Sequence, residues 1–318
     1  MTLPQLQKTI HSFIDHPDQL GLQLFFVIKS GQDFELLEPA LDSKELEPAL
    51  KKDFLEEIGQ QFFAQGENDD LELQDLNTAE ATDRRTIYHI VAGEIPMAAS
   101  LLKGMQDETH IKKYDPKNHD FTSIWGIVAK IGHDGHHLYL FKRNYPVNVV
   151  KKGIAYPLFF AQGALQLEKK ELLKISSKFE WLSHKKDLFI LNKNEFESSF
   201  EYVYAVETKA NAAIDLILDA KIISDGTKLY DLSKQRNAVK KIISISGSNP
   251  VLKKSPRQIV TFAKKYGFPL QLSEDKKTIE LHNQKEARNL LKLFNDDLLL
   301  SELSDTKYDS RGKQKLNL

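Results

Sequence analysis

The chain has 318 residues, 41% hydrophobic and 28% charged with a formal net charge of −1, enough for one large domain or two of medium size. The absence of cysteine excludes disulfide staples, thiolate nucleophiles, cysteine-ligated zinc and iron–sulfur clusters. No apolar run of about 20 residues is present to span a bilayer, and the opening MTLPQLQKTI lacks the basic flank and apolar stretch of a secretory signal, so the sequence predicts a cytoplasmic protein.

The first predicted element is a helix over roughly 3–16, with Leu6, Ile10, Phe13 and Ile14 on one side. Leu22, Leu24, Phe26 and Ile28 then alternate as in a strand, and a Ser30-Gly31-Gln32-Asp33 turn leads into Phe34–Leu37, a hairpin. Leu50, Phe54, Ile58 and Phe62 recur every four residues as the buried stripe of a helix, closed by a polar loop over 66–70. Arg85–Ala92 reads as a strand, Met97–Met105 as a short helix and Asp107–Asp120 as a charged loop. Phe121–Ile131 and His137–Phe141 form a hairpin around Asp134-Gly135, a dipeptide that tolerates positive φ. Gly153–Leu167 reads as buried core, and Leu165–Ile175 and Leu188–Leu191 as strands. Asn194 is placed to cap one helix running from Phe196 to Ile217.

The last third has the clearest punctuation. Ser233 is expected to cap a helix to about Ser244, followed by a Gly247-Ser248-Asn249-Pro250 loop. Ser255-Pro256 is a strong helix start and Gly267 a matching stop. Phe268–Leu272 and Thr278–Leu281 flank a turn, and a helix from Gln284 to Phe294 precedes the apolar run Leu298–Leu303. The tail after Asp309 is polar and expected to fray. The fold class is α+β, a mixed hairpin-rich N-terminal half (1–168) and a helix-dominated, winged-helix-like C-terminal half (169–318).

The net charge conceals an asymmetry. Residues 1–80 hold 17 acidic and 5 basic residues, leaving 28 acidic and 39 basic for the remainder. Within 227–267 lie Lys228, Lys234, Arg236, Lys240, Lys241, Lys253, Lys254, Arg257, Lys264 and Lys265 against Asp231 alone. Such a balance points to a polyanion partner. On the 255–266 helix, Ile259, Val260, Phe262 and Ala263 are expected inward and Arg257, Lys264 and Lys265 outward. Lys234, Arg236, Lys240, Lys241, Lys253 and Lys254 complete the predicted DNA-binding set. Lysine-rich surfaces contact phosphates rather than read bases. The bland alternative is an ordinary solvated helical face.

Other constellations are weaker. His133, His136 and His137 beside Asp134 resemble a metal cluster, but His136 and His137 point to opposite faces of a strand and no fourth ligand is evident. Asp187 with Glu207-Thr208-Lys209 has the form of a magnesium nuclease set, which requires Glu207 on a strand, whereas the local spacing is helical. No GxxxxGK[ST], GxGxxG, HExxH or GxSxG motif occurs. A binding or interaction protein therefore outranks an enzyme, and no cofactor or metal is predicted.

Three stretches carry a family resemblance: Asp187–Glu197, a strand opening into a Phe-Glu helix start; Ala263–Pro269 before a short hairpin; and Leu293–Leu298 followed by Ser301, Leu303 and Tyr308. Together, over roughly 125–310, the chain resembles the KwaB-like family, the cytosolic component of the bacterial Kiwa anti-phage defence system. The resemblance implies a double-stranded DNA-associated protein that self-associates as a dimer or tetramer and acts with a KwaA-like membrane protein at the inner membrane face. It assigns no residue to DNA contact. The acidic first 80 residues lie outside it and are expected to dock a partner or a second copy. A magnesium nuclease and a pure protein-interaction subunit remain the alternatives.

Overall fold

The computed structural model describes residues 1–63, 66, 70–78, 85–133, 135–150, 158–161, 164–167, 170–268, 270–301 and 306–309. The chain is α+β and divides into two compact units, Met1–Leu73 with Arg84–Phe200, and Gln74–Asp83 with Glu201–Leu318. The sequence reading set the division near residue 168, which lies outside the described residues, as do Asp134, Pro269, Leu303, the tail beyond Asp309, residues 67–69 of the polar loop and 153–157 of the expected core segment.

The first unit begins with helix α1 (Leu3–Asp15), strands β1 (Gly21–Ser30) and β2 (Asp33–Glu38), helix α2 (Leu46–Phe62) and strands β3 (Leu71–Asp75) and β4 (Arg85–Val91). Helix α3 (Pro96–Gln106), β5 (Lys112–Lys113), β6 (Gly126–His133), β7 (His136–Arg143), β8 (Val149–Val150), β9 (Leu158–Ala161), β10 (Ala164–Leu167) and β11 (Leu172–Leu173) follow. β12 (Trp181–His184), β13 (Asp187–Ile190) and helix α4 (Lys193–Ser199) complete it. Nine strands form one sheet in the order β3-β4-β13-β12-β7-β6-β1-β2-β5.

Alternation of side chains gives this sheet two different faces. On one, Leu24, Ala129, Leu140, Leu182 and Phe189 pack against Ile10 and Phe13 of α1 and Phe54 and Ile58 of α2. On the other, the rings of Phe141 and Trp181 stack at 5.0 Å, with Phe200 edge-on at 5.6 and 5.9 Å. Lys130 is buried on that side, where it ion-pairs with Glu108 and donates to Gln23 Oε1 at 3.0 Å. The β6–β7 register pairs His133 with His136. Gly132, at φ +154°, is required there, because a Cβ would lie 2.0 Å from the His136 carbonyl oxygen.

The second unit comprises helices α5 (Tyr202–Ala205), α6 (Glu207–Asp219), α7 (Thr227–Ser233), α8 (Arg236–Ile243), α9 (Pro256–Lys265) and α10 (Gln284–Phe294). Two ribbons accompany them, β14 (Gln271–Leu272) with β15 (Ile279–Glu280), and β16 (Leu298–Ser301) with β17 (Thr306–Asp309). α10 packs on α7, α8 and α9, and α6 on α7 and α8. Ile214, Leu232, Val239, Ile242 and Leu290 are buried in this helical layer.

Several local expectations need correction. The single helix over 196–217 is three elements, α4, α5 and α6: Glu201 adopts a left-handed conformation at φ +52° between the first two, and Val206, at φ −98° and ψ 5°, leaves the helical geometry between the last two. The cap at its start is Asn192, whose Oδ1 accepts from Glu195 N at 3.2 Å, rather than Asn194. Ser233 ends α7 instead of opening a helix, its hydroxyl donating back to the Tyr230 carbonyl at 2.8 Å. The 107–120 loop carries ordered turns capped by Asp107 and Asp120, and its Lys112–Lys113 pairs in parallel with β2.

Candidate nucleic-acid interface

The geometry of α9 follows from its first residues. Ser255 Oγ accepts from Gln258 N at 3.3 Å while Gln258 Oε1 accepts from Ser255 N at 2.9 Å, a reciprocal box that fixes where the helix starts. Pro256 fills the first helical position and Gly267, at φ +78°, closes the end. Ile259 and Ala263 are buried, so Arg257, Thr261 and Lys264, within about 60° of one another at 100° per residue, share the solvent face. Phe262, expected inward, is 47% exposed, because the buried stripe is only two residues wide.

Lys253 and Lys254 are exposed at the 3-10 turn Pro250–Lys253. Asn249 holds that turn, with Oδ1 accepting from Val251 N at 3.0 Å and Nδ2 donating to the Phe294 carbonyl of α10 at 2.9 Å. Lys264 and Lys265 are exposed in the last turn of α9. Lys253, Lys254, Arg257, Lys264 and Lys265 are thus presented to solvent within one short stretch.

The remaining members of the predicted set are placed differently. Lys240 Nζ donates to the Leu76 carbonyl at 2.7 Å and lies 5.2 Å from the Tyr202 ring centroid. Lys241 ion-pairs with Asp297, whose carboxylate is almost wholly buried. Both are structural cations, held by the second unit's own interior. Lys234 is exposed but shares a shallow depression with Glu201, Glu207 and Tyr204, so carboxylates offset its potential. Arg236 is exposed at the start of α8.

The nuclease-like residues occupy distinct settings. Asp187 lies on β13, where Oδ1 accepts a 2.7 Å hydrogen bond from His89 Nε2. Burial, the largest single influence, pushes its carboxyl up, but the hydrogen bonds and charges of His89 and the Met1 ammonium together hold it below the usual carboxylate range. Glu207 is the first residue of α6, not a strand residue. The His133 and His136 rings lie 6.2 Å apart, while His137 faces Tyr139 at 6.3 Å. Among the described residues no group of three or more metal-ligating side chains converges.

One group escaped sequence reading altogether. Glu180, just before β12, has Oε2 buried with no hydrogen-bond partner among the described residues. Burial, then the nearby Glu195 carboxylate, pushes its carboxyl up to about 7. Tyr145 is pushed up to about 12 by burial and by its hydrogen bond to Glu195, and the Arg143 guanidinium lies 4.5 Å from the Trp125 ring centroid. Nothing local in Phe179-Glu180-Trp181 announces this, because the burial and the second carboxylate come from distant segments.

Among the described residues no helix is long and apolar enough to cross a membrane. No solved structure matches the chain. The chain is similar to the Kiwa protein KwaB of Escherichia coli O55:H7 (strain RM12579 / EPEC), 25% identical over 214 residues. That similarity covers 64% of this chain and 66% of the relative's length, so the chain spans just under two thirds of it. A family model described as Kiwa protein KwaB-like matches residues 122–304, a stretch that runs from the central β6–β7 hairpin through α9 and α10. That match covers more than half of the molecule, and the chain belongs to the KwaB-like family.

Proposed function

We propose that this protein is a Kiwa anti-phage defence component that binds double-stranded DNA largely without sequence preference and does not cut it. Family membership supports the defence role. The DNA reading rests on one observation: from Lys253 to Lys265 the chain presents five exposed cations and no Asp or Glu. Cations on phosphates release counterions, so binding of this kind weakens steeply with salt, by about 0.9 in log–log slope per contact. Arg257 sits in the first turn of α9, where the helix's positive end disfavours it until a phosphate arrives. In this reading the protein acts as a homo-oligomer, recruited to the inner membrane face by a KwaA-like membrane protein, and restricts replication or transcription of invading DNA.

The test is a salt titration of duplex binding. Arg257→Glu with Lys264→Glu is expected to weaken binding equally across sequences and to make the slope shallower by about 2. An unchanged slope removes α9 from the interface. No mobility shift with any nucleic acid at low salt leaves a protein-interaction subunit. Plasmid incubated with magnesium is expected to stay intact; cleavage abolished by Glu207→Ala would instead establish a nuclease.

A further inference from the structure

Phe262 is the one phenylalanine left exposed among the described residues, 47% accessible beside the buried stripe of Ile259 and Ala263. A single exposed apolar side chain is ordinary by itself. The surroundings of Phe262 are not. Its ring lies 5.0 Å from that of Tyr266, one helical turn on, with an interplanar angle of 41°. Tyr266 in turn lies 5.9 Å from Lys307 Nζ, which also donates to the Lys265 carbonyl at 2.7 Å. Lys265 follows three residues after Phe262, so its ammonium rises from the neighbouring position on the same helix surface. A two-ring aromatic step is therefore set between Lys265 and Lys307, whereas Arg257 and Lys264, about 140° and 160° round the helix from Phe262 at 100° per residue, face away from it.

Duplex DNA has no use for such a ring. Its bases are stacked inside, and the phosphates outside are met by cations, polar side chains and backbone amides, not by an apolar ring. Unpaired nucleotides differ, because every base then offers a free π-face and the backbone still carries its charge. Aromatic side chains interleaved with cations are the arrangement that holds single strands without reading their sequence. We propose that Phe262 and Tyr266 form a stacking platform for an unpaired base, so that this side of α9 binds single-stranded nucleic acid, with Lys265 and Lys307 on the flanking phosphates. This deepens the nucleic-acid reading above and rests on it. The occupant is favoured over a protein by charge: the stretch has five cations and no carboxylate, which suits a polyanion.

The experiment measures fluorescence anisotropy of the full chain with a labelled single strand and with the duplex of the same sequence, at one salt concentration. Phe262→Ala is expected to weaken single-strand binding by roughly ten- to a hundredfold and to leave duplex binding unchanged. Because the side chain is exposed, this variant keeps its fold, which its unfolding midpoint verifies. Phe262→Trp is expected to restore single-strand affinity, since a larger ring stacks at least as well. Lys265→Glu is expected to weaken single-strand binding as well, while Arg257→Glu with Lys264→Glu, on the far side of the helix, is expected to weaken duplex binding.

Duplex binding that depends on Arg257 and Lys264, together with single-strand binding indifferent to Phe262→Ala, overturns the platform and leaves the duplex reading standing. Equal loss for both substrates also overturns it, since the ring would then be supporting the surface rather than stacking on bases. A change in molecular mass on Phe262→Ala, with nucleic-acid affinity intact, assigns the ring to a second copy of the chain and overturns the proposal. If neither nucleic acid binds at low salt, the underlying reading falls with it.

Discussion

Helices α8 and α9 each carry a Lys-Lys pair in the last turn beside an apolar stripe, yet the two pairs meet different fates. Around α8 the neighbours are α5, α6, α7 and α10, and its flanks find the Leu76 carbonyl and Asp297. Around α9 they are α10, β14 and Lys307 of β17, and Lys264 and Lys265 remain exposed. A helical wheel places both pairs on the flanks of the stripe. Neighbour number, not register, decides which lysines are structural and which are available to a ligand.

The comparison breaks most visibly at Lys241. Lys241→Ala removes the ammonium from the buried Asp297 carboxylate and is expected to cost about 2 kcal/mol, less than for a fully buried pair because 37% of the lysine side chain is exposed. The equivalent Lys264→Ala is expected to change stability by no more than about 0.5 kcal/mol. Chemical denaturation of both variants decides this; equal costs would erase the distinction between the helices.

Glu180 of the first unit supplies the contrasting buried carboxyl, one left without a bonded ammonium. Its pKa is raised in the fold from 4.5 to about 7, so the folded state holds a proton that the unfolded chain has released. Its contribution is fully present below about 4.5 and declines as pH rises towards 7. Glu180→Gln, permanently uncharged, is expected to flatten that decline and to melt a few degrees above the parent at pH 8, with little difference at pH 4. A parallel pH profile for the two proteins would mean that Glu180 is ionised throughout.

A smaller effect sharpens the same point. Lys240→Met removes the bond to Leu76 and the contact with the Tyr202 ring, for about 1 kcal/mol. Duplex affinity is expected to persist in this variant, since Lys240 already has its partners within the fold.

Elements whose signals are local were legible. The Ser255-Pro256 start, the Gly267 stop and the helix from Gln284 to Phe294 all stand where sequence chemistry puts them. The hairpins of β1 with β2 and β6 with β7 were equally readable from alternation. The break at Glu201 was not, because a left-handed residue without glycine or proline leaves no mark. β12 was missed because its Trp-Leu-Ser-His run is buried on both sides and hides its alternation. The charge count found the basic stretch, but the partners of Lys240 and Lys241 lie 164 and 56 residues away in sequence, beyond any local pattern.

The bond from Lys240 to Leu76 also bears on how the protein is made. Those residues are 164 positions apart, and Tyr202 reaches back to Asn77 in the same way. At about 5–20 residues per second, the ribosome delivers Leu76 roughly ten to thirty seconds before Lys240. The helical unit therefore cannot be completed from one contiguous nascent stretch. A gene fragment starting at Glu201 would encode an ammonium whose acceptor had never been translated.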